Sequence, residues 1–349
     1  MITDKQISEV LMYKINLTRM LRGAKNSLPL GNYPRSFFRE LLNFWLVTII
    51  VSLPQALLLS IVQSALMIGD PEYIALMSKP EVGMDEIAQF TLDFAQRLPS
   101  WFSAVSLISS GFMIIAALVY CKKFEKRKAY TLGFVKRGLL AEYSMGLLIG
   151  AVMLTLPVSA CLITKCVWLA PSNGIDYAVI ALYFVAFLIQ GLGEEALFRG
   201  YLLTSLARSR GIWFSIIASS LLFSLFHAGN TAFSLIAFIN IFLFGVFASV
   251  FMLKRGSIWA IAAIHSAWNF MQGNIFGFNV SGNASGVTVF SAHQSNFGAI
   301  LSGGEFGIEG GLGATVVLLI AILCALLMPT KKSEYVPDED DDTKASQAQ

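Results

Sequence analysis

The chain has 349 residues, of which 56% are hydrophobic and only 13% charged, and its formal net charge is +3. Apolar content so far above the soluble average of about 45–50%, with a mean hydropathy of +0.66, excludes an ordinary soluble domain and marks a polytopic membrane protein. Cys121, Cys161, Cys166 and Cys324 show no CxxC spacing, which excludes a disulfide framework or a thiolate metal site as the organising principle, and no nucleic-acid partner is expected.

Residues 1–40 read as a cytoplasmic N-terminal segment. Ile7, Val10, Leu11, Ile15 and Leu21 recur at helical spacing with Lys14, Arg19 and Arg22 between them. That pattern fits an amphipathic helix lying on an anionic membrane surface or packed on the protein body. The first long apolar run begins only after Arg39 and Glu40, which is not the layout of a signal peptide.

Apolar runs follow at 41–68, 100–120, 141–168, 176–207, 212–228, 232–253, 257–272 and 314–328. They predict an all-α fold, a polytopic transmembrane helix bundle of about eight spans, although the last two runs are short for a span of about 20 residues. The polar connections alternate in sign. Lys5, Lys14, Arg19, Arg22, Lys25, Arg35 and Arg39 precede the first span, and Asp70, Glu72, Glu81, Asp85, Glu86 and Asp93 dominate the next connection. Lys122 to Lys128, Lys136 and Arg137, then Arg208 and Arg210, Lys254 and Arg255, and Lys331 and Lys332 mark every second connection after that. The positive-inside rule places both termini in the cytoplasm. The segment 273–313 is rich in Gly, Ser and Asn, carries Glu305 and Glu309 without Lys or Arg, and reads as an extracytoplasmic loop that is either a functional cover or flexible. Its His293 reads as an exposed bystander. The acidic stretch 329–349 reads as a disordered tail.

Within this pattern, Glu194, Glu195 and Arg199 fall inside an apolar run. By insertion scales each charge at mid-membrane costs about 2.5–3.5 kcal/mol, so the three must face protein or a water-filled cavity rather than lipid. Glu195 and Arg199 lie one turn apart with the acid first, the favourable order for an intrahelical ion pair. Glu194 is turned about 100° away and has no partner on its own helix. Two more pairs at helical spacing, Phe223 with His227 and His265 with Asn269, lie in later runs. Counting about 1.5 Å per residue from the nearest basic marker puts Glu194, His227 and His265 at overlapping depths. Each has a structural reading of its own. His227 can simply end a helix, His265 and Asn269 can be interhelical hydrogen-bond donors, and Glu195 with Arg199 can be a purely structural pair.

Glu194-Glu195-xxx-Arg199, Phe223-xxx-His227 and His265-xxx-Asn269 resemble, in order, the three motifs of the CAAX prenyl protease and bacteriocin-processing (Abi, or CPBP) intramembrane endopeptidases. The resemblance covers roughly 176–272, the expected catalytic core, with 41–168 as preceding membrane helices and 314–328 as the last span. It implies an all-helical bundle with a polar, cytoplasm-accessible cavity inside the membrane, and peptide-bond hydrolysis. Glu194 would be the general base, His227 would position water with it, and His265 and Asn269 would donate to the oxyanion. Glu195 and Arg199 would hold the cavity in shape, Arg199 also being a candidate partner for a substrate carboxylate. A Zn2+ ion held by His227, His265 and Glu194 is the metal-dependent variant. No HExxH is present, and a metal-free glutamate mechanism is chemically adequate. The expected partners are membrane lipids and a hydrophobic or lipidated peptide, in a bacterial cell membrane. The competing classes are a transporter or proton-coupled channel and a self-immunity protein of the same fold.

Overall fold

Lipid offers the backbone no hydrogen-bond partner, so apolar runs of this length are driven into helices that satisfy themselves. The computed structural model describes residues 20, 21, 24, 36–136, 138–295 and 298–330; most of the expected amphipathic N-terminal segment and the acidic tail from residue 331 lie outside the described residues. The chain forms α1 (Phe37–Ile68), α2 (Pro71–Met77), α3 (Met84–Gln96), α4 (Ser100–Ser109), α5 (Gly111–Lys123) and α6 (Leu139–Ile163). Then come α7 (Tyr177–Glu195), α8 (Thr204–Ser209), α9 (Ile212–Phe226), α10 (Leu235–Arg255), α11 (Trp259–Phe270) and α12 (Leu312–Leu327).

Five helical stretches are long and apolar enough to cross a membrane by length and composition: α1, α4 with α5, α6, α7 with α8, and α10. The protein is therefore a multi-pass membrane helix bundle. The sequence-based count of about eight spans adds α9, α11 and α12, which are only 15, 12 and 16 residues long. For α11 the shortness has a physical reason. Every residue from Ala260 to Asn269 is buried, so protein surrounds this helix and it has no lipid thickness to match.

Small residues bring the neighbours of α11 close. On α6, a Cβ placed at Gly146 would meet the carbonyl oxygen of Ala260 at 2.3 Å, and one at Gly150 would meet that of Ile264 at 2.3 Å. On α7, a Cβ at Gly191 would lie 2.4 Å from Ser266 Oγ. Only glycine tolerates such backbone approach, the familiar device where helices pack without a hydrophobic driving force between them. In contrast α1 exposes Leu46, Ile50, Leu53, Leu57 and Ile61, the surface expected of a lipid-facing span.

Two departures from regular helix flank the polar motifs. The chain passes from α7 into a π-helical stretch, Ala196–Leu203, and from α11 into another, Met271–Ile275. Such stretches widen the backbone turn and recur at functional sites. The first is clamped by Arg127, whose guanidinium donates to Gly200 O at 3.2 Å, to Ser205 Oγ at 2.8 Å and to Thr204 Oγ1, while pairing with Glu125 at 2.7 Å. All of these groups are buried and lie toward the end of the bundle that carries the basic connections.

The all-α expectation needs one small amendment. Val167–Pro171 and Phe290–Gln294 pair as a two-stranded antiparallel ribbon, with Val167 opposite Gln294 and Pro171 opposite Phe290. The ribbon ties the Gly-rich 273–313 segment to the connection before α7 at the end away from the basic loops. His293 is exposed there and stacks on Trp168 at 5.5 Å between ring centroids.

Candidate functional site

The three polar motifs meet. α7 supplies Glu194, the end of α9 supplies Phe223 and His227, and α11 supplies His265 and Asn269, all lining one cavity of about 590 Å³. Asp176 caps the start of α7 through its carboxylate, accepting from Ala178 N and Val179 N at 2.9 and 3.1 Å. Gly191 then lets α7 lie against α11, so Glu194 Oε2 comes to 3.8 Å from His265 Nε2.

Glu195 points the other way, into protein. Its Oε1 accepts from Arg199 Nη1 at 3.1 Å and from His265 Nδ1 at 3.0 Å, and Glu195 and Arg199 are fully buried. The expected intrahelical pair is present, and it does more than hold one helix, because Glu195 also orients the imidazole on α11. With Nδ1 donating to a carboxylate, neutral His265 presents a bare Nε2 to the cavity. Arg199 does not line the cavity; its guanidinium carbon sits 4.1 Å from the centroid of the Phe223 ring, an arrangement worth about 2 kcal/mol when desolvated.

His227 follows the last residue of α9, as a helix-ending imidazole would, and its Nδ1 bonds Phe223 O at 2.8 Å. The carbonyl can only accept, so Nδ1 carries the proton and Nε2 is left to the cavity. His227, His265 and Glu194 do not converge as a three-ligand set. Among the described residues no three His, Cys, Asp or Glu side chains are gathered so as to hold a metal ion.

Two further residues belong to the site that the three motifs do not mark. Gln190 Nε2 donates to Glu194 Oε1 at 2.5 Å, and Gln190 Oε1 accepts from Asn269 Nδ2 at 3.0 Å. A polar chain therefore runs from Asn269 through Gln190 to Glu194. The signal was an amide one turn before Glu194 in an apolar run. The second is Glu309, from the Gly-rich segment, which lines the same cavity; its Oε1 accepts from Ser281 Oγ at 2.8 Å and from Ser281 N. The described residues of the 273–313 segment thus form a structured cover, and among the described residues no Lys or Arg side chain lines the cavity beneath it.

Gln190→Leu is expected to lower kcat/KM for the reaction at this site by about 10- to 100-fold, the loss of a hydrogen bond to a charged group, with KM little changed. A steady-state assay with KM and kcat resolved checks this, and an unchanged kcat would remove Gln190 from the site.

Comparison with known proteins gives one match. Residues 176–271 match the family described as Rce1-like, Type II CAAX prenyl endopeptidase, a stretch that holds all three motifs. No curated protein and no solved structure matches the chain.

Proposed function

We propose that this chain is an intramembrane endopeptidase in which Glu194 activates water for peptide-bond hydrolysis. The observation that carries the reading is the cavity-facing Glu194, whose Oε2 is buried with no hydrogen-bond partner and stands 3.8 Å from His265 Nε2. A polar gap of that width is bridged by water in many buried sites. The Rce1-like match over 176–271 supports a CAAX-type protease in general.

In the proposed reaction, Glu194 takes a proton from water as the oxygen attacks the scissile carbonyl carbon. In its neutral form, the imidazole of His227 or His265 offers an Nε2 acceptor for the water's second hydrogen and so aims its lone pair. Asn269 Nδ2 has a second N–H beyond the one given to Gln190, and it donates to the developing oxyanion. Collapse of the tetrahedral intermediate breaks the C–N bond, and the proton on Glu194 passes to the leaving amine. The products are one carboxylate and one amine, and no step passes through a metal. Glu195 and Arg199 act behind the cavity, holding His265 in the tautomer that this scheme uses.

Substrates would be hydrophobic or lipidated peptides tethered to the membrane. The test is cleavage of tethered fluorogenic peptides by detergent-purified protein, with and without a zinc chelator, the cut site being read by mass spectrometry. Cleavage that survives chelation is expected. Chelator sensitivity reversed by zinc would move His227 and His265 to a ligand role. Better cleavage of soluble folded proteins than of tethered peptides would sink the reading.

A further inference from the structure

The cavity has a direction. Most of the lining lies in the halves of the spanning stretches farther from the basic connections: Ser103 and Ser106 on α4, Asn240 on α10, Asn269 on α11 and Leu318 on α12, and in the continuous stretch Tyr177–Ser209 Tyr183 and Phe187 precede Gln190, with Glu194 near its middle. Asn230, Ser281, Asn283, Ser285 and Glu309, from the connections at that far end, also line it. Among the described residues, none of 124–136, 208–211 or 254–258 takes part.

Below Glu194 the way to the basic end is closed. Every residue from Ala196 to Leu203 is buried, and the Glu125, Arg127 and Ser205 network fills the space beyond. A peptide coming from the basic end would have to break that buried ion pair.

Charge decides which side of the membrane this is. Among the described residues, Lys122, Lys123, Lys126, Lys128, Lys136, Arg208, Arg210, Lys254 and Arg255 lie with Arg127 at the closed end. The far connections carry only Lys79, Arg97 and Lys165, against Asp70, Glu72, Glu81, Asp85, Glu86, Asp93, Asp176, Glu305 and Glu309. The excess of Lys and Arg in short loops sets orientation and keeps those loops in the cytoplasm. A cytoplasm-accessible cavity, expected from the family resemblance, would require carrying every cation of the closed end across the membrane.

We infer that the cavity is reached from the non-cytoplasmic face, so that its substrate is a part of a membrane-anchored chain that has already been exported. The nature of the substrate rests on the protease reading; the sidedness of the cavity does not.

Cysteine accessibility tests it on the full chain. In a Cys324→Ala background, whose remaining cysteines are buried, Glu305→Cys marks the far end, Arg210→Cys the basic end and Ser106→Cys the cavity wall. Each is treated with a membrane-impermeant maleimide in spheroplasts and in inverted vesicles, with the background chain as blank. Labelling of Glu305→Cys and Ser106→Cys in spheroplasts, with Arg210→Cys labelled only in inverted vesicles, is the expected result. Labelling of Glu305→Cys in inverted vesicles alone would overturn the orientation. Glu305→Cys labelled in spheroplasts while Ser106→Cys is reached only from inverted vesicles, or from neither side, would overturn access from that face. Cleavage by detergent-solubilised Glu194→Gln is read separately. If that variant keeps full cleavage while the labelling pattern is as expected, the protease mechanism fails and the sidedness stands. If cleavage is lost while labelling is inverted, the sidedness alone fails.

Discussion

Glu194→Gln is expected to leave a folded protein with peptide hydrolysis reduced by about 100- to 10,000-fold, the contribution of a positioned general base. The amide has nearly the shape of the carboxylate and keeps an oxygen that can accept from Gln190 Nε2, so the polar chain to Asn269 survives. It lacks a group able to take the proton from water. Folding should be spared because Glu194 Oε2 has no hydrogen-bond partner, so neutralising it strands no donor. Melting temperature in detergent and kcat/KM for a tethered peptide, measured on one preparation, separate the two effects. A variant that keeps activity within about tenfold of the starting chain would rule out Glu194 as the base.

Arg199→Met is the change expected to damage the fold most. It removes the cation from a fully buried pair and leaves Glu195 with His265 as its remaining partner among the described residues. Breaking a buried ion pair from one side costs about 3–5 kcal/mol, because the remaining charge stays out of water. The loss of the guanidinium from the face of Phe223 adds to that. The double variant Glu195→Gln with Arg199→Met should recover part of the stability, since neither charge is then stranded. A double-mutant cycle by denaturant unfolding in detergent measures the coupling. Additive single effects would mean that the pair is not coupled in the folded protein. The cycle also bears on catalysis. Glu195→Gln weakens the acceptor for His265 Nδ1, so it should cost turnover beyond what its stability loss explains.

These two variants divide the motif that the sequence shows as one block. Adjacent positions on a helix face different directions, so Glu194 meets the cavity while Glu195 meets Arg199 and His265. The local part of that division was legible: an acid with a basic partner four residues on, beside an acid without one. The link from Glu195 to α11 was not, because it joins residues 70 apart in sequence. Gln190 shows the same limit from the other side. It is an unremarked amide in an apolar run until Asn269 is seen to complete its hydrogen bonding.

What the sequence by itself determined is the set of elements and their cost. Apolar run length marks the spanning segments, alternating charge marks the two ends of the bundle, and the expense of intramembrane charge singles out Glu194, Glu195 and Arg199. Each of these depends on a residue and its near neighbours along the chain, which is why one sequence suffices. The tertiary structure alone decided which helix faces meet. Close approach at Gly146, Gly150 and Gly191 seats α11 between α6 and α7, and that contact turns three separated motifs into one cavity and brings Glu309 over it. It also decided that the lining of the cavity includes residues of the connections away from the basic loops. Helical periodicity fixes where a side chain lies on its own helix but carries no information about the rotation and depth of one helix against another, which are set by packing between residues distant in the chain.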